Sequence, residues 1–304
     1  MTPRLDPVSD KHQPAPFVVG VGRSGTTLLR LMLDSHSELA IPPETHFLPA
    51  LIELFEDGHE PSAEELAAAV QGHAGWRDFG LSEDELLAAF DRVEPSAPGA
   101  IRAFYAAYAA RHSKPRWGDK TPVYIESIAR IGAALGDQAR FVHLIRDGRD
   151  VAVSRGARAR NRGRAATPAR TEAETWKRRI EGARDQAREV EHYLELRYED
   201  LIAGPEAALR RACDHAELTF DPAMLNYHER ASERLAELSD LPGKGGRSRP
   251  GSERIAAHAL VSEPPRADRV ERWRTELTEE EIADYEEVAG ELLFELGYPL
   301  AREA

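Results

Sequence analysis

The sequence is poor in residues that cross-link or anchor a chain. It holds one cysteine, Cys213, in 304 residues, which excludes a disulfide scaffold and any metal site built on thiolates. No apolar run approaches the roughly 20 residues of a membrane-spanning helix. The longest runs, around Phe17–Gly22 and Phe141–Ile145, have the length of buried strands. The opening MTPRLDPVSDKHQPAP lacks the apolar core of a signal peptide and reads as a disordered tail over about 1–14. Lysine is scarce: there are five, so 35 of the 40 basic residues are arginine. That bias, with many alanines, points to a GC-rich bacterial genome, while the lone cysteine and the lack of a signal peptide or membrane-length run point to a soluble protein of a reducing cytoplasm. The net charge of −13 argues against sequence-independent binding to nucleic acid or an anionic membrane. It leaves room for a small anionic ligand in a locally basic pocket.

What is present suits a globular enzyme: 41% hydrophobic and 31% charged residues, with no internal repeat. Pro16–Gly22 reads as a buried strand followed by a helix over Thr26–Ser35. A helical block, about 51–112, carries two capping boxes, Ser62 with Glu65 and Ser82 with Glu85. Thr121-Pro122 reads as a cap with proline at the first helical position, opening a helix to about Leu135. Arg140–Arg146 and Tyr193–Tyr198 are predicted as further strands, with helices from about Asp150, over Glu172–Glu191, from Gly204-Pro205 and from Thr278 to Gly297. Gly243–Gly251 reads as a mobile loop. Strands separated by long helices imply parallel pairing with right-handed crossovers. The expectation is an α/β, three-layer, P-loop-type fold with a central parallel sheet, one domain over 15–304, and a helical insertion over about 51–112.

The most specific signal is Gly20-Val21-Gly22-Arg23-Ser24-Gly25-Thr26-Thr27, between a predicted strand and helix. Glycines let backbone amides turn inward, and the helix start adds free N–H groups and a positive dipole end. The hydroxyls of Ser24, Thr26 and Thr27 add donors. The nucleotide-triphosphatase pattern G-x-x-x-x-G-K-[ST] is not met. Thr26 stands where lysine belongs, the cation sits inside the loop at Arg23, and the strand-end partner of a magnesium site has no clear counterpart, His143 and Arg146 occupying the second strand instead. Such a loop suits transfer of a group less charged than phosphoryl, and a sulfuryl group fits. Arg146-Asp147-Gly148-Arg149-Asp150 ends the second strand, where ligands of open α/β sheets bind. Arg146, Ser154 and Arg158 lie close enough in sequence to converge on one phosphate.

Together these residues resemble the sulfotransferases that use 3′-phosphoadenosine 5′-phosphosulfate (PAPS), and among eukaryotic members the tyrosylprotein sulfotransferases. Arg23–Thr27, Asp34 with His36, Glu44-Thr45, and Arg146 with Ser154 carry the resemblance over most of the chain. It implies that Gly22, Arg23, Ser24, Gly25, Thr26 and Thr27 bind the 5′-phosphosulfate. It further implies that Arg146, Ser154 and Arg158 bind the 3′-phosphate, Tyr198 sits beside the adenine, and Lys120 lies near the transferring sulfate. Adenosine 3′,5′-bisphosphate is the implied product, and a hydroxyl compound the implied acceptor partner.

Sulfuryl transfer needs a proton acceptor and compensation for charge developing on the sulfate and the leaving phosphate. Arginine stays protonated, so Arg23 has an electrostatic role. Glu44 is the chosen base, on the expectation that burial raises its basicity, with His46 as rival. Catalysis is thus assigned to Arg23, Glu44 and Lys120, with no metal. Asp119 is read as orienting Lys120, Lys244 as part of a loop closing over the cofactor, and Phe104, Tyr105 and Tyr108 as core. Trp273 is read as structural. The competing readings are a small-molecule P-loop kinase and a nucleotide-binding protein without turnover.

Overall fold

The segment Ala15–Val19 is apolar on both faces and wholly buried, as a strand inside a parallel sheet must be. The computed structural model describes residues 12–242 and 248–301. This first strand, β1, leads into α1 (Thr26–Asp34) and the short β2 (Leu39–Ala40). Next come α2 (Leu48–Glu53), α3 (Ala63–Gln71), α4 (Glu83–Phe90) and α5 (Ala97–Arg111). The chain returns through β3 (Arg116–Trp117), β4 (Asp119–Lys120), α6 (Ile128–Leu135) and β5 (Ala139–Ile145). Helices α7 (Gly148–Arg160) and α8 (Ala169–Ala187) precede β6 (Tyr193–Arg197), α9 (Tyr198–Ala203) and α10 (Pro205–His215). Four more follow: α11 (His228–Leu235), α12 (Gly251–Ala256), α13 (Trp273–Glu276) and α14 (Glu279–Glu295).

The main sheet has the order β4-β1-β5-β6, all parallel. β2 and β3 form a separate parallel pair. Alternation along the strands sends successive side chains to opposite faces. Phe17, Val19 and Phe141 join a core under α2–α6, α8 and α14, whereas Val18, Val142 and Leu144 join a second core under α1 and α10. The fold is therefore a three-layer α/β sandwich. Among the described residues, no helix is long and apolar enough to cross a membrane.

Several predicted boundaries move. β1 stops at Val19, because the chain turns into the glycine loop there. Thr121 does not cap a helix. Pro122–Glu126 forms a 3-10 turn, Ser127 breaks it at φ −136°, and α6 starts afterwards. The Thr121 hydroxyl is otherwise engaged, with Asp119 and with the Thr45 N–H. α8 begins at Ala169, before the predicted Glu172. All three capping boxes, at Ser62, Ser82 and Thr278, are formed. Around the glycine-rich stretch, Leu241 and Arg249 pair in an antiparallel bridge and Gly251 already opens α12. Residues 243–247, and most of the tail read over 1–14, lie outside the described residues.

The C-terminal region closes on the loop after β5. Arg149, fully buried, pairs with Asp147 at 2.7 Å and Glu286 at 2.6 Å, and donates to the Pro299 carbonyl at 2.9 Å. Its guanidinium lies 3.6 Å over the Trp273 ring, whose backbone N–H donates to Asp150 at 3.0 Å. Trp273 thus has the structural place expected of it.

Candidate active site

The glycine loop crosses the carboxyl end of β1 and delivers its hydroxyls to the start of α1. Gly25, at φ +92°, is the residue before that helix, and no side chain caps it. A Cβ at Gly25 would lie 2.4 Å from the Tyr198 ring, whereas one at Gly22 would meet nothing nearer than Arg155 Nη2 at 3.8 Å. The loop is thus packed on one side by Tyr198 and open on the other. Among the described residues, Ser24 Oγ and Arg146 Nε are buried without a hydrogen-bond partner, and Arg269 Nε has only an ion pair with Asp268 at 3.8 Å. Buried polar groups are normally paired. These orphaned donors, beside an uncapped helix start, fit an anionic ligand.

The second half of the predicted site reaches the same loop. Arg23 Nε donates to Ser154 Oγ at 3.0 Å, and Arg146 Nη1 donates to the Arg23 carbonyl at 3.2 Å. Arg146 also lies 4.5 Å over the Tyr198 ring and pairs with Asp150 at 3.4 Å. Burial pushes the Arg23 guanidinium down to about 10, helped by the positive charges of Arg158, Arg146 and Arg155. It remains a cation at neutral pH, held where anionic charge relieves the crowding. Burial and neighbouring Arg162 and Arg249 likewise lower Arg158. Among the described residues, Arg23, Arg158, Arg162 and Arg249 carry no ion pair, whereas Arg155 is neutralised by Glu172 at 2.9 Å. Thr26 is buried and Thr27 half-buried at the start of α1. Lys244 lies outside the described residues.

Glu44 comes from the loop between β2 and α2. Its Oε1 lies 2.6 Å from Lys120 Nζ and its Oε2 3.0 Å from His46 Nε2. Burial alone would push this carboxyl up. The Lys120 charge and the hydrogen bonds from His46 and Lys120 outweigh it and hold the group well below the usual carboxylate range. The expectation of raised basicity is therefore corrected for the protein alone: Glu44 is ionised but clamped between two donors. Burial pushes the Lys120 ammonium below its ordinary value, with Glu44 opposing. His46 sits at φ +54° and is exposed, as a partner of Glu44.

Other singled-out residues fall elsewhere. Asp34 is buried against Arg234 at 2.6 Å, and His36 bonds the Thr219 carbonyl at 2.7 Å. Phe104, Tyr105 and Tyr108 are core. His258 was not foreseen. Half-buried, it faces Lys120, Glu44, Arg23 and Arg158, and burial plus the Lys120 charge push its imidazole down to about 3. Arg249 and Arg269 were also missed. All three lie between α11 and α13, Arg249 in the glycine-rich stretch already singled out and His258 and Arg269 beyond α12, where the sequence carries no motif and only tertiary contact brings the chain to the loop.

A sequence profile described as "Sulfotransferase family" matches residues 14–222. Protein-tyrosine sulfotransferase A of Caenorhabditis elegans is 27% identical over 300 residues, covering 97% of this chain and 70% of that protein. The Drosophila melanogaster protein-tyrosine sulfotransferase is 25% identical over 225 residues, covering 72% of this chain, which spans only 41% of the relative's length. Among solved structures, the sulfotransferase domain from the curacin biosynthetic pathway superposes with a TM-score of 0.61 at 22% identity, covering 95% of this chain and 99% of that one.

Proposed function

Because the chain belongs to the sulfotransferase family, enzymes that move a sulfuryl group onto a hydroxyl, we propose that it takes that group from PAPS and releases adenosine 3′,5′-bisphosphate. The supporting observation is the pair of buried donors without hydrogen-bond partners among the described residues, Ser24 Oγ and Arg146 Nε, beside the uncapped start of α1. PAPS supplies the activated sulfuryl group. Gly22–Thr27 hold its 5′ end, Arg146, Ser154 and Arg158 its 3′-phosphate, and Tyr198 its adenine. Arg23 and Lys120 place positive charge where negative charge develops. Such preorganised donors are typically the largest single contribution to catalysis. Glu44 accepts the acceptor's proton; its carboxylate is ionised in advance, and sharing Lys120 with anionic oxygens frees it from that clamp. A kinase has less support, because Thr26 replaces the lysine that triphosphate chemistry uses. The acceptor is a hydroxyl of a small molecule, carbohydrate, lipid or peptide tyrosine, the last suggested by the names of the relatives.

Calorimetry in EDTA tests the donor. A charged hydrogen bond contributes roughly 1.5–3 kcal/mol, so two or three to one phosphate, discounted for non-additivity, give at least ~100-fold preference for adenosine 3′,5′-bisphosphate over adenosine 5′-monophosphate. The double variant Arg146→Ala/Ser154→Ala erases the difference. Equal affinities in the parent protein refute the assignment.

A further inference from the structure

Two dipeptides grip one another beside the phosphate loop. Glu44 pairs with Lys120 at 2.6 Å, and the next residue, Thr45, donates from Oγ1 to Asp119 Oδ2 at 2.8 Å. Thr121 adds a third contact, its Oγ1 accepting the Thr45 N–H at 2.9 Å. Adjacent residues of β4 point to opposite faces, so the Asp119 and Lys120 contacts hold the Glu44 loop from two directions. The loop needs this, since residues 41–47 carry no strand or helix to fix them.

Asp119 is fully buried and is built for this contact. Its Oδ2 also accepts from the Tyr105 hydroxyl at 2.9 Å and Thr121 Oγ1 at 3.3 Å. The Tyr124 hydroxyl lies 2.9 Å from Thr45 Oγ1 and accepts the Leu48 N–H at 3.0 Å. Tyr105 is itself immobilised, its ring stacked on Trp117 at 4.6 Å and 9°. Burial, with the Asp119 charge, raises both tyrosines well above their ordinary value, so both hydroxyls stay protonated. Apart from the Leu48 contact, each of these bonds has an end at Thr45, Asp119 or Thr121, next in sequence to Glu44 or Lys120.

We propose that Thr45 and Asp119, supported by Tyr105 and Thr121, are positioning residues that set the Glu44 carboxylate against Lys120 and hold it at the reacting centre. The proposal rests on reading Glu44 as the base. Misplacing a catalytic group by about 1 Å costs on the order of 10²-fold in rate. The network therefore governs turnover with little effect on donor binding, which uses other residues.

The decisive measurement does not depend on the acceptor. Carbon-13 glutamate labelling, with Glu44→Gln to assign the signal, follows the Glu44 carboxyl in the protein alone. The groups around it are Lys120 from β4, His46 from its own loop, His73 beyond α3, which bonds the Glu44 backbone and lies 5.2 Å from the His46 ring, Arg158 from α7, and Arg249 and His258 from the segment around α12. In the parent, Glu44 is fully ionised at pH 4.5. In Thr45→Val, which keeps the shape and removes the hydroxyl, Glu44 leaves Lys120 and is partly protonated at that pH, while Thr45→Ser behaves as the parent. Affinity for adenosine 3′,5′-bisphosphate stays within twofold in both. If Thr45→Val does not fold, Tyr105→Phe, which removes one donor to Asp119, carries the same test. A Glu44 signal that ignores Thr45→Val, or in its place Tyr105→Phe, overturns the proposal, as does a Thr45→Ser protein as perturbed as Thr45→Val. Failure of the base assignment looks different: Glu44→Gln consumes PAPS at the parent rate while the Thr45→Val titration still shifts.

Discussion

Gly25 and Gly22 make opposite predictions although both lie in the same loop. At Gly25 the backbone is at φ +92° and an added Cβ falls 2.4 Å and 2.6 Å from two Tyr198 ring carbons. Left-handed backbone costs an alanine roughly 1–2 kcal/mol. The ring must also move, weakening its stacking with Arg146, worth about 0.5–2 kcal/mol. The expected total for Gly25→Ala is about 3 kcal/mol. Unfolding entropy of about 2.1 cal/mol/K per residue makes roughly 0.64 kcal/mol/K for this chain, so Tm falls by about 5 °C. Donor affinity falls too, because Tyr198 and Arg146 move together. At Gly22 the nearest atom to an added Cβ is 3.8 Å away. Gly22→Ala therefore leaves Tm within about 1 °C, yet its methyl points to the open side of the loop and weakens adenosine 3′,5′-bisphosphate by about tenfold or more. Differential scanning fluorimetry and calorimetry on the two variants suffice. A Gly22→Ala protein with parent affinity refutes the placement of phosphate on this loop, and a Gly25→Ala protein with parent Tm refutes the packing argument.

Arg23→Ala keeps most donor affinity, which the loop amides supply, but loses on the order of 10²–10³ in single-turnover rate with saturating PAPS; a near-parent rate contradicts its electrostatic role. Asp119 gives a pH signature: burial raises its carboxyl from 3.8 to about 6 despite bonds from Thr45 and Tyr105. The folded state then holds a proton that the unfolded chain has released. The stability from this group is full below pH 3.8 and is lost as pH rises through 6, a change of about 3 kcal/mol. Asp119→Asn lacks that component, so the Tm advantage of the parent over the variant shrinks between pH 4 and pH 7. A constant difference across that range contradicts the charged burial of Asp119.

The parts legible in the sequence are those with local causes. The glycine loop was readable because Gly20, Gly25 and the hydroxyls lie within eight residues between an apolar run and a helix. The helix starts at Ser62, Ser82 and Thr278 were readable because a capping box spans four residues. β4 was not, since two residues, Asp119 and Lys120, show no periodicity and owe their strand geometry to pairing with Phe17 and Val18. Thr121 was read as a cap on local chemistry, but Asp119 and Thr45 compete for its hydroxyl, and the tertiary contact won. Glu44 was identifiable as a candidate. Its ionisation was not, because Lys120 lies 76 residues away and reverses the effect of burial. His258 and Arg249 reach the site only through the path of the chain between α11 and α13.

The clasp on Arg149 sets an order on the making of the protein. Its counter-charge Glu286, its carbonyl partner Pro299 and its aromatic cover Trp273 are encoded up to 150 residues later. At 5–20 residues per second, the ribosome leaves the Arg146–Asp150 turn without these partners for roughly 7 to 30 s. Through that interval the nascent chain carries a phosphate loop whose opposite wall, including the Arg269 carbonyl that receives Arg146, does not yet exist. The Arg146–Asp150 turn therefore takes its final form only after the segment from Arg269 to Pro299 has been made, although Arg23, Ser154 and Arg158 are already in the chain long before.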